Sequence, residues 1–242
     1  MRTSTFAATD TGLVRTGNED SSLRGETVLA VADGLGGHQA GEVASAIAIA
    51  AIAELDGREL SSPEEAREAL IAAIVEGNRA ILDKAARDPD FWGMGTTMTA
   101  AALAGDRWAQ LAQVGDSRAY LMPEREGLRQ VTNDQTIVGE LVRQGRLTPE
   151  EAAHHPQRSV VTRAVGLDPD LEVDTPPPLE LVAGDQLLLC SDGLTDAIDD
   201  ARIAEILGAG LDGQTTCQAL IDAANAAGGP DNITVVLLRV DA

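Results

Sequence analysis

Short apolar runs, separated by glycine, proline and aspartate, recur along the chain. Runs at 27–32, 96–103, 108–114, 117–122, 128–131, 186–190 and 233–240 have the length and β-branched content of half-buried or buried strands. Between them lie stretches with helical spacing. An alanine-rich stretch predicts a helix over about 40–55. A second long helix opens at Ser-Pro-Glu-Glu, where Ser62 can cap, Pro63 takes the first helical position and Glu65 completes a capping box. Leu70, Ile74 and Ile81 then recur at helical spacing as far as about residue 87. The same start signal at Thr148-Pro149-Glu150-Glu151 predicts a short helix over 149–153, and helices also fit 200–208 and 214–227. Two helices separate the first strand from a block of consecutive strands, and further helices precede the last strand. That order argues for antiparallel sheets with helices packed outside, rather than a regular parallel βαβ sheet.

Composition narrows the picture. The chain has 242 residues, 44% of them hydrophobic, enough for a sizeable core. Aromatic residues are only 2%, so that core must be built from Ala, Val, Leu and Ile. The Pro-rich piece at 175–181 is short and flanked by apolar runs, so it reads as a connection within one domain spanning 1–242. A formal net charge of −21 repels nucleic acid and anionic membrane surfaces and suits a protein that binds cations. The first residues have no signal-like apolar core, no apolar run approaches 18 residues, and Cys190 and Cys217 read as buried free thiols, so the expected location is the cytoplasm.

Four aspartates carry the candidate chemistry. Asp33 follows the run TVLAVA, Asp116 follows QLAQVG, Asp192 follows QLLLCS, and Asp231 precedes NITVVLL. One aspartate beside a glycine is ordinary turn chemistry. Four at strand termini are harder to dismiss, because carboxylates brought together repel and need protons or a cation. The candidate ligands are all oxygens. Of three histidines, His154 and His155 are adjacent, and the cysteines lack CxxC spacing, so a hard divalent ion fits better than zinc. Gly34, bare of a side chain, can turn its carbonyl toward an ion held by Asp33. Arg15, three residues before Asn18-Glu19-Asp20, is placed to grip a phosphate.

These segments resemble the PPM family, the metal-dependent type-2C serine/threonine protein phosphatases. RTGNED (15–20), VADGLGGH (31–38), GMGTT (93–97), GDSRAY (115–120), SDGLTD (191–196) and PDNITV (230–235) occur in the family's order and cover nearly the whole chain. Its length resembles the bacterial branch. The resemblance implies an α+β fold, a four-layer αββα sandwich of two antiparallel sheets flanked by helices, with two Mn²⁺ or Mg²⁺ ions at one edge. It implies that Asp33 bridges both ions, that Asp192 and Asp231 complete the ligands of one, and that the Gly34 carbonyl serves the other. Glu19 and Asp20 would contact that second ion through water. Asp116, with Asp192, matches a weaker third metal site, Arg15 the phosphate grip, and the segment from about 139 to 165 a flap beside the site. The implied reaction is hydrolysis of phosphoserine and phosphothreonine by a metal-bridging hydroxide. Implied partners are phosphorylated proteins, including a cognate kinase and its substrates, with the chain acting as a monomer and without nucleic acid or membrane insertion.

The chain also departs from that pattern. Leu35 stands where many relatives carry a histidine proposed as general acid, and Gln135 stands at a second position often occupied by histidine. His38, three residues further on, is a hydrogen bonder near the site or the polar start of a helix, and the leaving oxygen would then take its proton from a metal-bound water. The competing reading is a phosphatase-like regulatory or phosphoprotein-binding module without activity. A calcium-binding domain is disfavoured because no D-x-D-x-D-G loop is present, and a nucleotide site because the glycine-rich turn lacks GK[ST].

Overall fold

The structure, a computed structural model, describes residues 2–35, 39–124 and 126–241. Its strands are β1 (Thr3–Asp10), β2 (Asp20–Arg24), β3 (Val28–Leu35), β4 (Gly95–Thr96), β5 (Met98–Ala104), β6 (Trp108–Val114), β7 (Arg118–Met122), β8 (Arg129–Gln130), β9 (Leu179–Glu180), β10 (Gln186–Cys190) and β11 (Ile233–Val240). Its helices are α1 (Gln39–Ala53), α2 (Pro63–Arg87), α3 (Ile137–Arg143), α4 (Pro149–Ala153), α5 (Asp192–Thr195), α6 (Asp200–Leu207) and α7 (Gly213–Ala226). One sheet has the order β1-β11-β10-β7-β8. The other runs β2-β3-β5-β6-β9, with β4 paired to the end of β3. Every strand pairing is antiparallel.

Strand alternation produces the layers. Along β3, Val28, Ala30 and Ala32 face outward onto Ala44, Ala48 and Ile52 of α1 and Leu70 and Ile74 of α2. Leu29 and Val31 point the other way and meet Leu187, Leu189, Val236 and Leu238 of the opposing sheet. The outer side of that sheet, with Tyr120, Leu188, Val235 and Leu237, packs on Ile203, Leu207, Cys217 and Leu220 of α6 and α7. The period of two along each strand therefore makes an αββα sandwich with three apolar seams. Both cysteines are buried free thiols in the third seam.

The short helix at 149–153 has its complete capping box. At α2 the box is displaced. Ser62 accepts from Glu65 N, but Glu65 reaches back to Ser61 N at 2.8 Å. The strands β1, β2 and β9, the helix α3 and the single turn α5 had no signal in the apolar pattern. β1 is half-buried along most of its length, so its alternation is blurred, and its place is set by eight residues of pairing with β11. The predicted strand 27–32 continues through Asp33 to Leu35, because β4 supplies partners at Gly34 and Leu35. The run 96–103 breaks at Thr97, whose amide turns to Asp33 O. His38, Gly36 and Gly37 lie outside the described residues. Among the described residues, no helix is long and apolar enough to cross a membrane.

Leu187 is fully buried in the seam between the sheets, so Leu187→Ala is expected to lower the unfolding free energy by about 2–5 kcal/mol in urea titrations. Val182→Ala, at an exposed site, should change it by no more than about 0.5 kcal/mol.

Candidate active site

The candidate acids meet at one edge of the sandwich. The register of β2 on β3 sets Asp20 opposite Asp33. Adjacent hydroxyl groups hold the Asp33 backbone on both sides. Its amide donates to Thr97 Oγ1 at 2.9 Å. Its carbonyl accepts from Thr97 N at 2.8 Å and Thr96 Oγ1 at 2.8 Å. Thr97 Oγ1 continues to Ser117 Oγ at 2.7 Å, which ties the Asp33 strand to the turn that carries Asp116. From the other sheet, Asp192 opens α5 one residue after β10, close enough that its charge raises the Asp33 carboxyl. Asp231 precedes β11. Its Oδ1 accepts from Asn232 N at 2.8 Å, and its Oδ2 is 2.6 Å from Arg15 Nη2.

The loop that carries Arg15 and Glu19 is fastened by Asn232, a buried residue that the sequence did not single out. Asn232 Oδ1 accepts from Glu19 N at 2.8 Å, and its Nδ2 donates to Thr11 O and Gly17 O at 2.9 Å each. Ser45 of α1 adds a hydrogen bond to Glu19 O at 2.7 Å. Gly34 has a steric role beyond the one expected. A Cβ there would collide with the Gly41 backbone and the Glu19 carbonyl, so the glycine lets α1 approach β3. A Cβ on Gly41 would likewise strike the Glu19 carboxylate, which lies against the first turn of α1.

The electrostatics follow from crowding. Burial, and then the charges of Asp192 and Asp20, raise the Asp33 carboxyl well above the ordinary carboxylate range. Asp192 is pushed up to about 8 by burial and by Asp116 and Asp196. Asp116, buried at 7% exposure, rises to about 7 through burial and the charge of Asp134. Asp20 rises to about 6 through burial, although hydrogen bonds from Thr234 and Ser191 pull against the shift. Asp20 Oδ1 and Asp192 Oδ1 are buried with no hydrogen-bond partner among the described residues. Among the described residues, no three acid, histidine or cysteine side chains form a ready-made metal cage. Asp231, a predicted ligand, is engaged by Arg15, the predicted phosphate grip, so these two residues meet each other here.

Beside Asp116 lies a charged group that the motif reading missed. Arg118 makes a forked pair with Asp134, Nε at 2.9 and 3.0 Å and Nη2 at 2.6 Å. Arg118 Nη1 also donates to Tyr120 OH at 3.0 Å, and that hydroxyl donates to Asp200 at 2.9 Å. Next in the chain, Gln135 Oε1 accepts from Gly115 N at 2.9 Å. Its carbonyl accepts from Thr162 N at 2.7 Å and Thr162 Oγ1 at 2.9 Å. Gln135 therefore joins the Asp116 turn to the segment containing α3 and α4. The far end of that segment joins β4 through Thr96 and Val165. Arg158, within it, lies 3.8 Å from Asp196.

Two antiparallel sheets bring half-buried carboxylates together at one edge, beside an arginine, an all-oxygen set of the class that suits hard divalent cations. Comparison with known proteins narrows this further. Residues 16–219 match the family profile described as protein phosphatase 2C. The chain is 47% identical over 237 residues to the serine/threonine protein phosphatase PstP of Mycobacterium tuberculosis, covering 97% of this chain and 44% of that relative, so it spans less than half of the relative's length. It is 39% identical over 240 residues to the serine/threonine phosphatase stp of Listeria monocytogenes, covering 96% of this chain and 94% of that one. The crystal structure of the Mycobacterium tuberculosis phosphatase superposes with a TM-score of 0.93 at 45% identity, covering 99% of each chain. A PstP catalytic domain in complex with two manganese ions superposes with a TM-score of 0.88 at 42% identity, covering 99% of each chain. The chain belongs to the protein phosphatase 2C family.

The raised acids set a pH dependence. A carboxyl whose folded pKa lies above its unfolded value opposes folding more as pH rises between the two values, and fully above the folded one. In chelator-treated protein, Asp192→Asn should therefore raise the melting temperature more at pH 8 than at pH 5. Added Mn²⁺ should raise it strongly only in the unsubstituted protein. Thermal unfolding across the four conditions checks both outcomes.

Proposed function

We propose that this chain is a metal-dependent serine/threonine protein phosphatase that hydrolyses phosphoserine and phosphothreonine on proteins. The observation that carries this reading is a pair of buried oxygens, Asp20 Oδ1 and Asp192 Oδ1, without partners among the described residues, within a set of acids that burial and mutual repulsion keep off their ordinary pKa values. An all-oxygen, strongly anionic set of this kind fits hard divalent ions. Asp33, Asp192, Asp231 and the Gly34 carbonyl would hold two Mn²⁺ or Mg²⁺ ions, with Glu19 and Asp20 close by and Asp116 with Asp192 at a third position. When bound, such ions lower the pKa of a shared water and polarise the phosphoryl group.

The remaining steps belong to the chain's own residues. Arg15 is half exposed and uses one nitrogen for Asp231, which leaves further N–H donors for a phosphate at the same edge. The Thr96–Thr97 clamp keeps Asp33 from turning away as charge accumulates on the substrate. Leu35 in place of a histidine leaves no imidazole at that position to protonate the leaving oxygen. Residues 1–242 act as one catalytic domain, with the segment from about 139 to 165 as a flap. The net charge of −21 disfavours nucleic acid. The partners are phosphorylated proteins, including a cognate kinase, met by a monomer in the cytoplasm.

The purified protein is expected to hydrolyse para-nitrophenyl phosphate and phosphothreonine peptides with Mn²⁺ or Mg²⁺, and to lose activity with chelator or with Asp192→Ala. Metal-loaded protein that binds a phosphoprotein yet hydrolyses neither substrate would identify a regulatory module instead. Arg15→Ala should raise KM about tenfold or more while changing kcat less, the signature of lost ground-state phosphate binding. Steady-state kinetics on the peptide separate the two constants.

A further inference from the structure

Ser191 occupies the N-cap position of α5, yet its side chain caps nothing. A serine there ordinarily accepts from an amide of the first helical turn. In this fully buried residue the hydroxyl instead spans the two sheets: Oγ donates to Asp20 Oδ2 at 2.8 Å. Thr234 N donates to Ser191 Oγ at 3.0 Å, and Ser191 N donates to Thr234 O at 3.0 Å, so both backbone and side chain of Ser191 are bound to β11. With an amide on its acceptor side, the hydroxyl has one proton to give, and it goes to Asp20. This fixes which Asp20 oxygen is spoken for. The other, Oδ1, is left buried without a partner among the described residues, as is Oδ1 of Asp192, the next residue after Ser191. Asp20 in turn stands opposite Asp33 in the β2–β3 register.

We propose that Ser191 is a positioning residue for metal binding: its hydroxyl clamps Asp20 of one sheet to the turn carrying Asp192 of the other, and so orients the free Asp20 oxygen for the divalent cations. The proposal rests on the metal-dependent reading above. A hydroxyl that merely stapled the sheets would matter for stability and leave cation affinity alone. A hydroxyl that aims a carboxylate does the reverse, because groups bonded to metal-site acids set the orientation of those acids.

The test is calorimetric titration of Mn²⁺ into chelator-stripped, re-buffered wild type, Ser191→Ala, Asp20→Asn and the double variant, with melting temperatures recorded in chelator. Ser191→Ala is expected to weaken Mn²⁺ binding about 10- to 100-fold, with kcat on para-nitrophenyl phosphate recovering at saturating Mn²⁺. Asp20→Asn should weaken binding similarly, and the double variant should be within about threefold of the weaker single variant, since the two residues act as one unit. Ser191→Cys, a same-shape weak donor, should fall between wild type and Ser191→Ala, and it carries the comparison if the alanine variant does not fold. Unchanged Mn²⁺ affinity in the Ser191 variants, with or without a lower melting temperature, would overturn the proposal. So would losses that multiply in the double variant. Absence of Mn²⁺ binding by the wild type would overturn the metal-dependent reading itself.

Discussion

Repulsion among crowded, half-buried carboxylates is the constraint around which this molecule is arranged. Asp33 lies beside Asp20 across a strand pair and feels the charge of Asp192 from the other sheet, while Asp116 and Asp196 add charge to Asp192. Left to themselves, such groups would rotate toward solvent or take up protons. They stay because the backbone that carries them is pinned independently of their charge. Pairing with β2 and β4 and the Thr96–Thr97 clamp hold β3, and the two amide partners of Asn232 hold the loop at Thr11 and Gly17. The acids are therefore a local destabilisation that the surrounding hydrogen bonds and the inter-sheet seam offset, as expected where function breaks the usual preference for paired charges.

The small residues near the site serve the same end. Gly34 and Gly41 let α1 press against β3 so closely that neither position has room for a Cβ, and Ser45 of α1 meets Ser21 of the neighbouring strand β2 at 2.9 Å. The alanine-rich outer seam follows from that close approach. A core with larger side chains would push α1 outward and take the Glu19 loop with it. Aromatic scarcity in the composition thus has a local cause as well as a global one.

A second level of organisation ties the acids to the surface segment beside them. Gln135 spans from the Asp116 turn to Thr162, and Val165 pairs with Thr96, which itself bonds Asp33. Both ends of that segment are thus bonded to residues adjoining candidate ligands. The segment and the acids are therefore joined through a few named hydrogen bonds. The Arg15–Asp231 pair adds a further link, at 2.6 Å, between the loop that carries Arg15 and the start of β11.

Much of this was already present in the order of residues. The apolar runs at 186–190 and 233–240 became strands with the same bounds, because buried strands leave a continuous apolar signal. Four aspartates beside such runs indicated a cation site, because each strand places its terminus at a sheet edge. Sequence order could not reveal β1, whose alternation is blurred by half-burial, or β2, which begins inside the acidic motif itself. Nor could it show that Ser191 bonds Asp20, 171 positions away, or that Arg15 meets Asp231. Those relations depend on how the two sheets are stacked and on strand register. The sequence alone determined which chemistry was available; packing decided which acids face one another and what holds them there, because only the folded chain brings distant carboxylates within reach of each other's fields.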